Sequence, residues 1–271
     1  MKPFEVRQKH YNIRASHEDI FRGELVLVNR HHPVRLPVQA DQLRSLDVYP
    51  SIHQLDKGMR LDKQCLEQLY ALLKACGGMD DILAVSGYRT KEEQTRIYND
   101  SLIERGADYT SQYVAWPGHS EHQTGLAIDV GRLKSKLDFI APTFPDRGIY
   151  RSFREQAANY GFILRYKKEK ESITQISHEP WHFRYVGYPH SRIMEEKDLC
   201  LEEYIDFVKT YRYSGEQLTL RETHMTTKIY YVPADKGDDT EIPILTNDAY
   251  SISGNNRDGF IITTISELPK H

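Results

Sequence analysis

Ser120-Glu121-His122-Gln123-Thr124-Gly125-Leu126-Ala127-Ile128-Asp129 decides how this chain is read, because its apolar end carries an acidic side chain. Residues 126–130 are short and apolar, and they predict a strand with Asp129 on it or at its end. Fifty residues further on stands Glu179-Pro180-Trp181-His182. The two segments supply the imidazoles of His122 and His182 and, in Asp129 and Glu179, two carboxylates, with no thiol close by. Such a set suits a zinc ion with three protein ligands and an open fourth position, one carboxylate being left over as a base.

Two ligand sets compete. In the first, His122, Asp129 and His182 hold the ion and Glu179 is the base. In the second, His178-Glu179-Pro180-Trp181-His182 matches H-E-x-x-H, in which two histidines one helical turn apart bind zinc around the same base. That pattern needs a helix through residues 178–182, and Pro180 opposes it. Proline disfavours the α conformation at the residue before it, and inside a helix it costs about 3 kcal/mol or more. Trp181-His182-Phe183-Arg184-Tyr185-Val186 is also aromatic and β-branched, which is strand material. The first set is expected. Gly125 and Ala127 are small, which suits either a backbone passing close to metal or substrate or plain packing.

Working outward, residues 23–29 read as a short strand, and residues 60–75 have helical apolar spacing that Gly77-Gly78 ends. Residues 82–85 form a brief buried strand that delivers Ser86-Gly87-Tyr88-Arg89-Thr90. Thr90, with Glu93 three residues on, has the spacing of a capping box and predicts a helix to about Glu104, stopped at Gly106. Residues 109–121 look like a loop with Trp116-Pro117-Gly118 as its turn. A helix is expected over 149–160, strands over 162–166 and 181–186, and a last amphipathic helix over 199–211. Beyond about Tyr213 short β-rich runs (226–232, 241–245, 260–265) alternate with Asp, Gly and Asn turns.

The expected architecture is α+β: a small antiparallel sheet flanked by helices that carries a mononuclear zinc site, followed by a β-rich appendage. The corresponding partition is a loosely attached arm over 1–22, a catalytic domain over 23–212 and an appendage over 213–271, the last at a size where a lone core is marginal. Apolar residues make up 39% of the 271, enough for a core, and charged residues 28%, with a formal net charge of −3. That balance offers no basic field for nucleic acid and no acidic tail. Residues 1–14 lack the apolar core of a signal peptide, and no run approaches the roughly 18 apolar residues of a membrane helix. The three cysteines, Cys65, Cys76 and Cys200, fit no disulfide framework. The expectation is a soluble protein of the cytoplasm.

Ser-x-His-x-x-Gly-x-Ala-x-Asp followed by Glu-x-x-His, and preceded by Ser-Gly-Tyr-Arg-Thr, resembles the zinc D-alanyl-D-alanine peptidases of vancomycin resistance. These are the VanY-type carboxypeptidases and the VanXY-type bifunctional dipeptidase/carboxypeptidases, and the resemblance covers about residues 23 to 211. It implies one zinc per chain on His122, Asp129 and His182, with Glu179 as the catalytic carboxylate. His119 and His178 fall outside the ligand pattern. By the same resemblance Arg89 points into the cleft and stabilises the oxyanion. Ser120 and Gln94 are candidates for grasping the substrate's terminal carboxylate, and Tyr88 and Trp181 for lining the pocket. The implied substrate is a small peptide ending in D-Ala-D-Ala, either the free dipeptide or the end of a cell-wall precursor pentapeptide. Dipeptidase-competent relatives tend to carry Asp where this chain has Ser86, so that position leans towards carboxypeptidase.

Two other readings remain at this point: an L,D-carboxypeptidase acting on muropeptide tetrapeptides, and a non-catalytic binding protein for cell-wall precursors. An intact Glu179 beside all three ligands argues against the second. The ligand sets themselves part on one measurement. Asp129→Ala is expected to lose bound zinc and activity, whereas His178→Ala keeps most of both. Metal content of the two purified variants decides, and the reverse pattern restores the helical set.

Overall fold

The computed structural model describes residues 10–134, 138–245 and 249–267. They group into two compact units, one from Val28–Glu202 and one from Met1–Leu27 with Glu203–His271. This grouping differs from the expected partition at 22/23 and 212/213.

The first unit is built on a five-stranded sheet. Its strand order is His53–Gln54, Ile82–Ser86, Ala127–Arg132, His182–Tyr185, Phe162–Leu164. All neighbours run antiparallel except the edge pair His53–Gln54 and Ile82–Ser86, which is parallel. Every residue of Ile82–Ser86 is buried, so the strand reads as a continuous apolar run rather than an alternating one. The Lys63–Ala75 helix buries Leu66, Leu69, Leu72 and Leu73 along one stripe, each contributing about 1.5–3 kcal/mol by leaving water. Asp62 caps this helix, accepting from the Gln64 and Cys65 amides at 2.9 and 3.1 Å. The helix therefore begins at Lys63; Arg60–Asp62, expected within it, is a strand paired with Leu43–Ser45.

Further helices surround the sheet. Lys91–Arg105 starts in the predicted capping box, with Glu93 N donating to Thr90 Oγ1 at 3.1 Å and Thr90 N to Glu93 Oε2 at 2.7 Å. Residues 109–113, expected as loop, belong to the short helix Ala107–Tyr113. Its seven residues are mostly polar and give too short an apolar pattern to reveal it. Gly148–Gln156 leads into a 3-10 turn, Ala157–Tyr160, closed by the left-handed Gly161. Among the described residues no helix is long and apolar enough to cross a membrane.

The second unit draws on both ends of the chain. Leu218–Arg221, Met225–Pro233, Gly259–Glu267 and Ala249–Gly254 form a four-stranded antiparallel sheet, and Thr240–Leu245 pairs antiparallel with His10–Ala15. The expected loose arm thus contributes a strand; its residues 1–9 lie outside the described residues. Ala15 and Ile20 join Tyr230, Ile242, Ile244, Phe260 and Ile262 in one buried cluster. A set of strands too small for a secure core of its own completes it with residues from the other terminus. Residues 23–29, expected as a strand, form none. Leu25 N donates to Ser253 Oγ, Leu27 N to the Asn255 carbonyl, and the Leu27 carbonyl accepts from Asn256 Nδ2, so turn and side-chain groups replace a ladder.

In the site-bearing unit, Gly125 ends the 3-10 turn Glu121–Thr124 at φ +74°. A Cβ there would lie 2.7 Å from Leu43 Cδ2 and 3.1 Å from Asp62 N. Turn and packing therefore account for this glycine. Gly125→Ala is expected to destabilise the fold by at least roughly 1–2 kcal/mol from the left-handed backbone alone, measured as a fall in urea midpoint at unchanged slope.

Candidate metal centre

Register brings the site together. Asp129 pairs across the sheet with Ser86 on one side and with His182 on the other. Cross-strand partners present their side chains on one face about 5 Å apart, so Asp129 and His182 meet. His122 arrives from the Glu121–Thr124 turn just before that strand. His122 Nε2 lies 3.1 Å from Asp129 Oδ2, and His182 Nδ1 lies 2.9 Å from Asp129 Oδ1. One ligand atom from each residue falls within 4.8 Å of the others, and all three side chains are buried. Glu179 sits in the turn ahead of the His182–Tyr185 strand, its Oε2 3.7 Å from His182 Nδ1.

Each imidazole is anchored through its other nitrogen, as metal-binding histidines commonly are. The Gly87 carbonyl lies 2.7 Å from His122 Nδ1. His182 Nε2 faces Glu121 Oε2 at 3.3 Å. Two imidazoles, one carboxylate and fixed ring orientations are the donor set that zinc takes in hydrolytic sites. The residues present fit the ion.

Electrostatics follow from burial. Burial works to raise Asp129, but the His122 and His182 imidazoles outweigh it and hold the carboxyl well below the usual range. Burial and the Arg89 charge push His122 down to about 4. His182 goes the other way: burial opposes its charge, yet Asp129 and Glu121 carry it up to about 9. Glu179 is pushed up to about 8 by burial, with Asp129 adding to the rise and His182 and Arg89 opposing it.

Arg89 stands at the end of the turn between the Ile82–Ser86 strand and the Thr90 cap. Its Nη2 is 3.4 Å from Asp129 Oδ2 and its Nη1 donates to Gln94 Oε1 at 3.1 Å, while its buried Nε has no partner among the described residues. A buried N–H left open beside a cleft is a donor held ready for a ligand. Gln94 has both ends of its amide engaged, its Nε2 donating to the Ala115 carbonyl at 2.8 Å, so it braces Arg89. The cleft is lined by Ser120, Gln94 and Trp181 together with Arg89, Glu179, His122, Asp129 and His182. Ser86 and Tyr88 line a neighbouring recess that shares Arg89 with it.

His178 and His119 lie apart from the cluster. His178 Nδ1 meets the Tyr166 carbonyl at 2.9 Å, and residues 178–182 are turn and strand rather than helix. His119 Nδ1 meets the Asn29 carbonyl at 2.9 Å. Sequence reasoning gave no role to Glu121, Arg165 or Arg184. Glu121 Oε1 accepts from Arg165 Nε and Arg184 Nη1, both at 2.8 Å, with all three side chains fully buried. The available signal was an arginine in each of two apolar strand runs, since a buried cation demands a buried partner.

The fold and site define a mixed-sheet protein with a buried His-Asp-His cluster that could hold a metal ion, and comparison with known proteins narrows the class. Residues 58–188 match the family model "VanY: D-alanyl-D-alanine carboxypeptidase". The bifunctional D-Ala-D-Ala dipeptidase and D-Ala-D-Ala carboxypeptidase VanXYC of Enterococcus gallinarum is 44% identical over 185 residues, which is 68% of this chain and 94% of that protein. The crystal structure of the vancomycin resistance D,D-dipeptidase VanXYg with a D-Ala-D-Ala phosphinate analog is similar at a TM-score of 0.89 and 45% identity, covering 95% of this chain and 100% of that one. A variant of the D,D-pentapeptidase VanY in complex with Zn(II) is similar at a TM-score of 0.52 and 33% identity, over 67% of this chain and 98% of that one. The chain belongs to the VanY D-alanyl-D-alanine carboxypeptidase family.

Proposed function

We propose that this chain is a zinc-dependent D,D-peptidase that hydrolyses the terminal D-Ala-D-Ala bond of precursor pentapeptides and of the free dipeptide, and so confers glycopeptide resistance. The convergence of His122, Asp129 and His182 beside the separate carboxylate of Glu179 carries this reading. The relatives named for D-Ala-D-Ala supply the substrate class. The catalytic domain is the unit over Val28–Glu202. All three cysteines are buried and none forms a disulfide, which fits a reducing compartment, and we place the enzyme in the cytoplasm.

One zinc ion per chain would be held by His122, Asp129 and His182, supplying a Lewis acid that polarises the scissile carbonyl and makes water acidic at neutral pH. Glu179 takes the proton of the attacking water and hands it to the departing amine of the terminal D-Ala. Its high proton affinity, set first by burial, suits a group that must hold that proton between the two steps. Arg89 turns its open Nε towards the negative charge that develops on the carbonyl oxygen, where a fixed donor is worth about 3–4 kcal/mol. Gln94 keeps that guanidinium in place, and Ser120 and Trp181 bound the space for the terminal residue.

Purified protein incubated with defined pentapeptide, tetrapeptide and D-Ala-D-Ala is expected to release D-Ala from the first and the last. Glu179→Gln is expected to abolish release while keeping its zinc. Release from tetrapeptide alone would overturn the D,D assignment.

The His182 imidazole sets a pH dependence of metal binding. Lying at about 9, it carries a proton at lower pH that an incoming ion must displace. Apparent zinc affinity is therefore expected to rise with pH, by about tenfold per unit between pH 6 and 8 for one proton released. Competition with a chelator of known proton affinity measures this; a flat profile would count against His182 as a ligand.

A further inference from the structure

Glu121 is among the residues that line the cleft, yet its side chain is completely buried. Its two oxygens are divided. Oε1 takes both arginines, Arg165 Nε and Arg184 Nη1 at 2.8 Å each, and Oε2 is left facing His182 Nε2 at 3.3 Å. Arg165 turns its other two nitrogens as a fork on Glu202, at 2.9 and 2.7 Å, and Glu202 accepts from Asn29 Nδ2 at 3.1 Å. Arg184 Nε donates to the Tyr185 carbonyl at 3.0 Å. Two buried cations and two carboxylates balance in charge, so the ionised form of Glu121 is held from behind.

The two imidazoles use opposite ring nitrogens. His122 is anchored at Nδ1 and offers Nε2, whereas His182 faces Glu121 with Nε2 and offers Nδ1. Which nitrogen of a neutral imidazole carries the proton is set by the partner of the other one. With its proton on Nε2 and donated to the Glu121 carboxylate, His182 would have its Nδ1 lone pair available to an ion shared with Asp129, whose Oδ1 lies 2.9 Å from Nδ1. With the proton on Nδ1 instead, His182 would point an N–H at the ion.

Resting on the zinc reading above, we propose that Glu121 is the positioning residue of the metal centre: it holds His182 in the Nε2–H form, and Arg165 and Arg184 hold Glu121. An ionised partner also makes the imidazole a stronger donor than a backbone carbonyl does, so the two histidines contribute unequally.

The full-length protein tests this by chelator competition for zinc on the parent, Glu121→Gln, and the charge-balanced pair Glu121→Gln with Arg184→Met. Asp129→Ala serves as the control for loss of the site, and thermal unfolding of the metal-free forms as the control for structure. Both Glu121 forms are expected to bind zinc about 10–100-fold more weakly than the parent. In the zinc-loaded protein the His182 Nε2 proton, observed by ¹⁵N-edited NMR, is expected to lose the downfield shift of a carboxylate partner. If the single variant fails to fold for want of a charge partner, the balanced pair decides. Zinc affinity within twofold of the parent in a folded variant overturns the proposal and leaves Glu121 as a neutraliser of arginines. A parent that binds no zinc, or an Asp129→Ala form that binds it as well as the parent, instead overturns the metal reading itself and the proposal with it.

Discussion

Asp129 places one carboxylate oxygen against each of two buried imidazoles, and the rest of the site is arranged around that bridge. A carboxylate at 5% exposure is unfavourable unless several groups compensate it. Here the compensation comes from three directions: His122 from a turn, His182 from the neighbouring strand and Arg89 from the turn beyond Ser86. Sheet register makes the arrangement possible. A slip of one residue between Ala127–Arg132 and His182–Tyr185 would send Asp129 and His182 to opposite faces.

That bridge is held from outside by groups of different kinds. Gly87 lends a carbonyl to His122, and it does so where the chain at Arg60 passes close: a Cβ on Gly87 would lie 2.6 Å from the Arg60 carbonyl. Tyr88 N donates to that same carbonyl at 2.8 Å and Arg89 N to the His122 carbonyl at 3.1 Å. The segment Gly87-Tyr88-Arg89 is thus pinned by its backbone before its side chains act. On the His182 side the support is ionic, through Glu121 and two arginines. Burying charge for mere stability gains little over apolar packing, so this network is better understood as setting an orientation.

Much of the fold was legible where the determinants are local. The Thr90–Glu93 capping box, Gly106 and Gly161 as stops, and the apolar run ending in Asp129 each act within a few residues. Pro180 excluded the helical histidine pair by the same local logic. The failures were non-local. Leu25, Val26, Leu27 and Val28 look like strand, but their hydrogen-bond partners include Ser253 and Asn256, 228 and 229 residues away from Leu25 and Leu27. Glu121 lies inside the quoted motif and still hid its role, because Arg165 and Arg184 stand 44 and 63 residues downstream. Short, mostly polar helices such as Ala107–Tyr113 give too short an apolar pattern to detect.

On the D,D-peptidase proposal, Ser86 would bear on which substrate the site prefers, and its surroundings argue in one direction. It is buried at a register shift between Ala84 and Ser86, pairs with Asp129 and lines the recess that adjoins the cleft through Arg89. The free dipeptide brings an ammonium group towards the acyl side of the scissile bond, where a longer peptide brings a neutral amide. An ammonium needs a carboxylate in reach to replace its water. Asp56, Glu93 and Asp100 line that recess, but so do Lys57, Arg60, Arg89 and Arg96, and Glu93 is engaged in the Thr90 cap. With a hydroxyl at position 86, the recess has no net negative field to draw in an ammonium, whereas a neutral amide loses nothing there. With the acyl end of the substrate in that recess, as the D,D-peptidase proposal would have it, the balance between the two reactions would tilt towards the carboxypeptidase, for a reason of charge rather than of space.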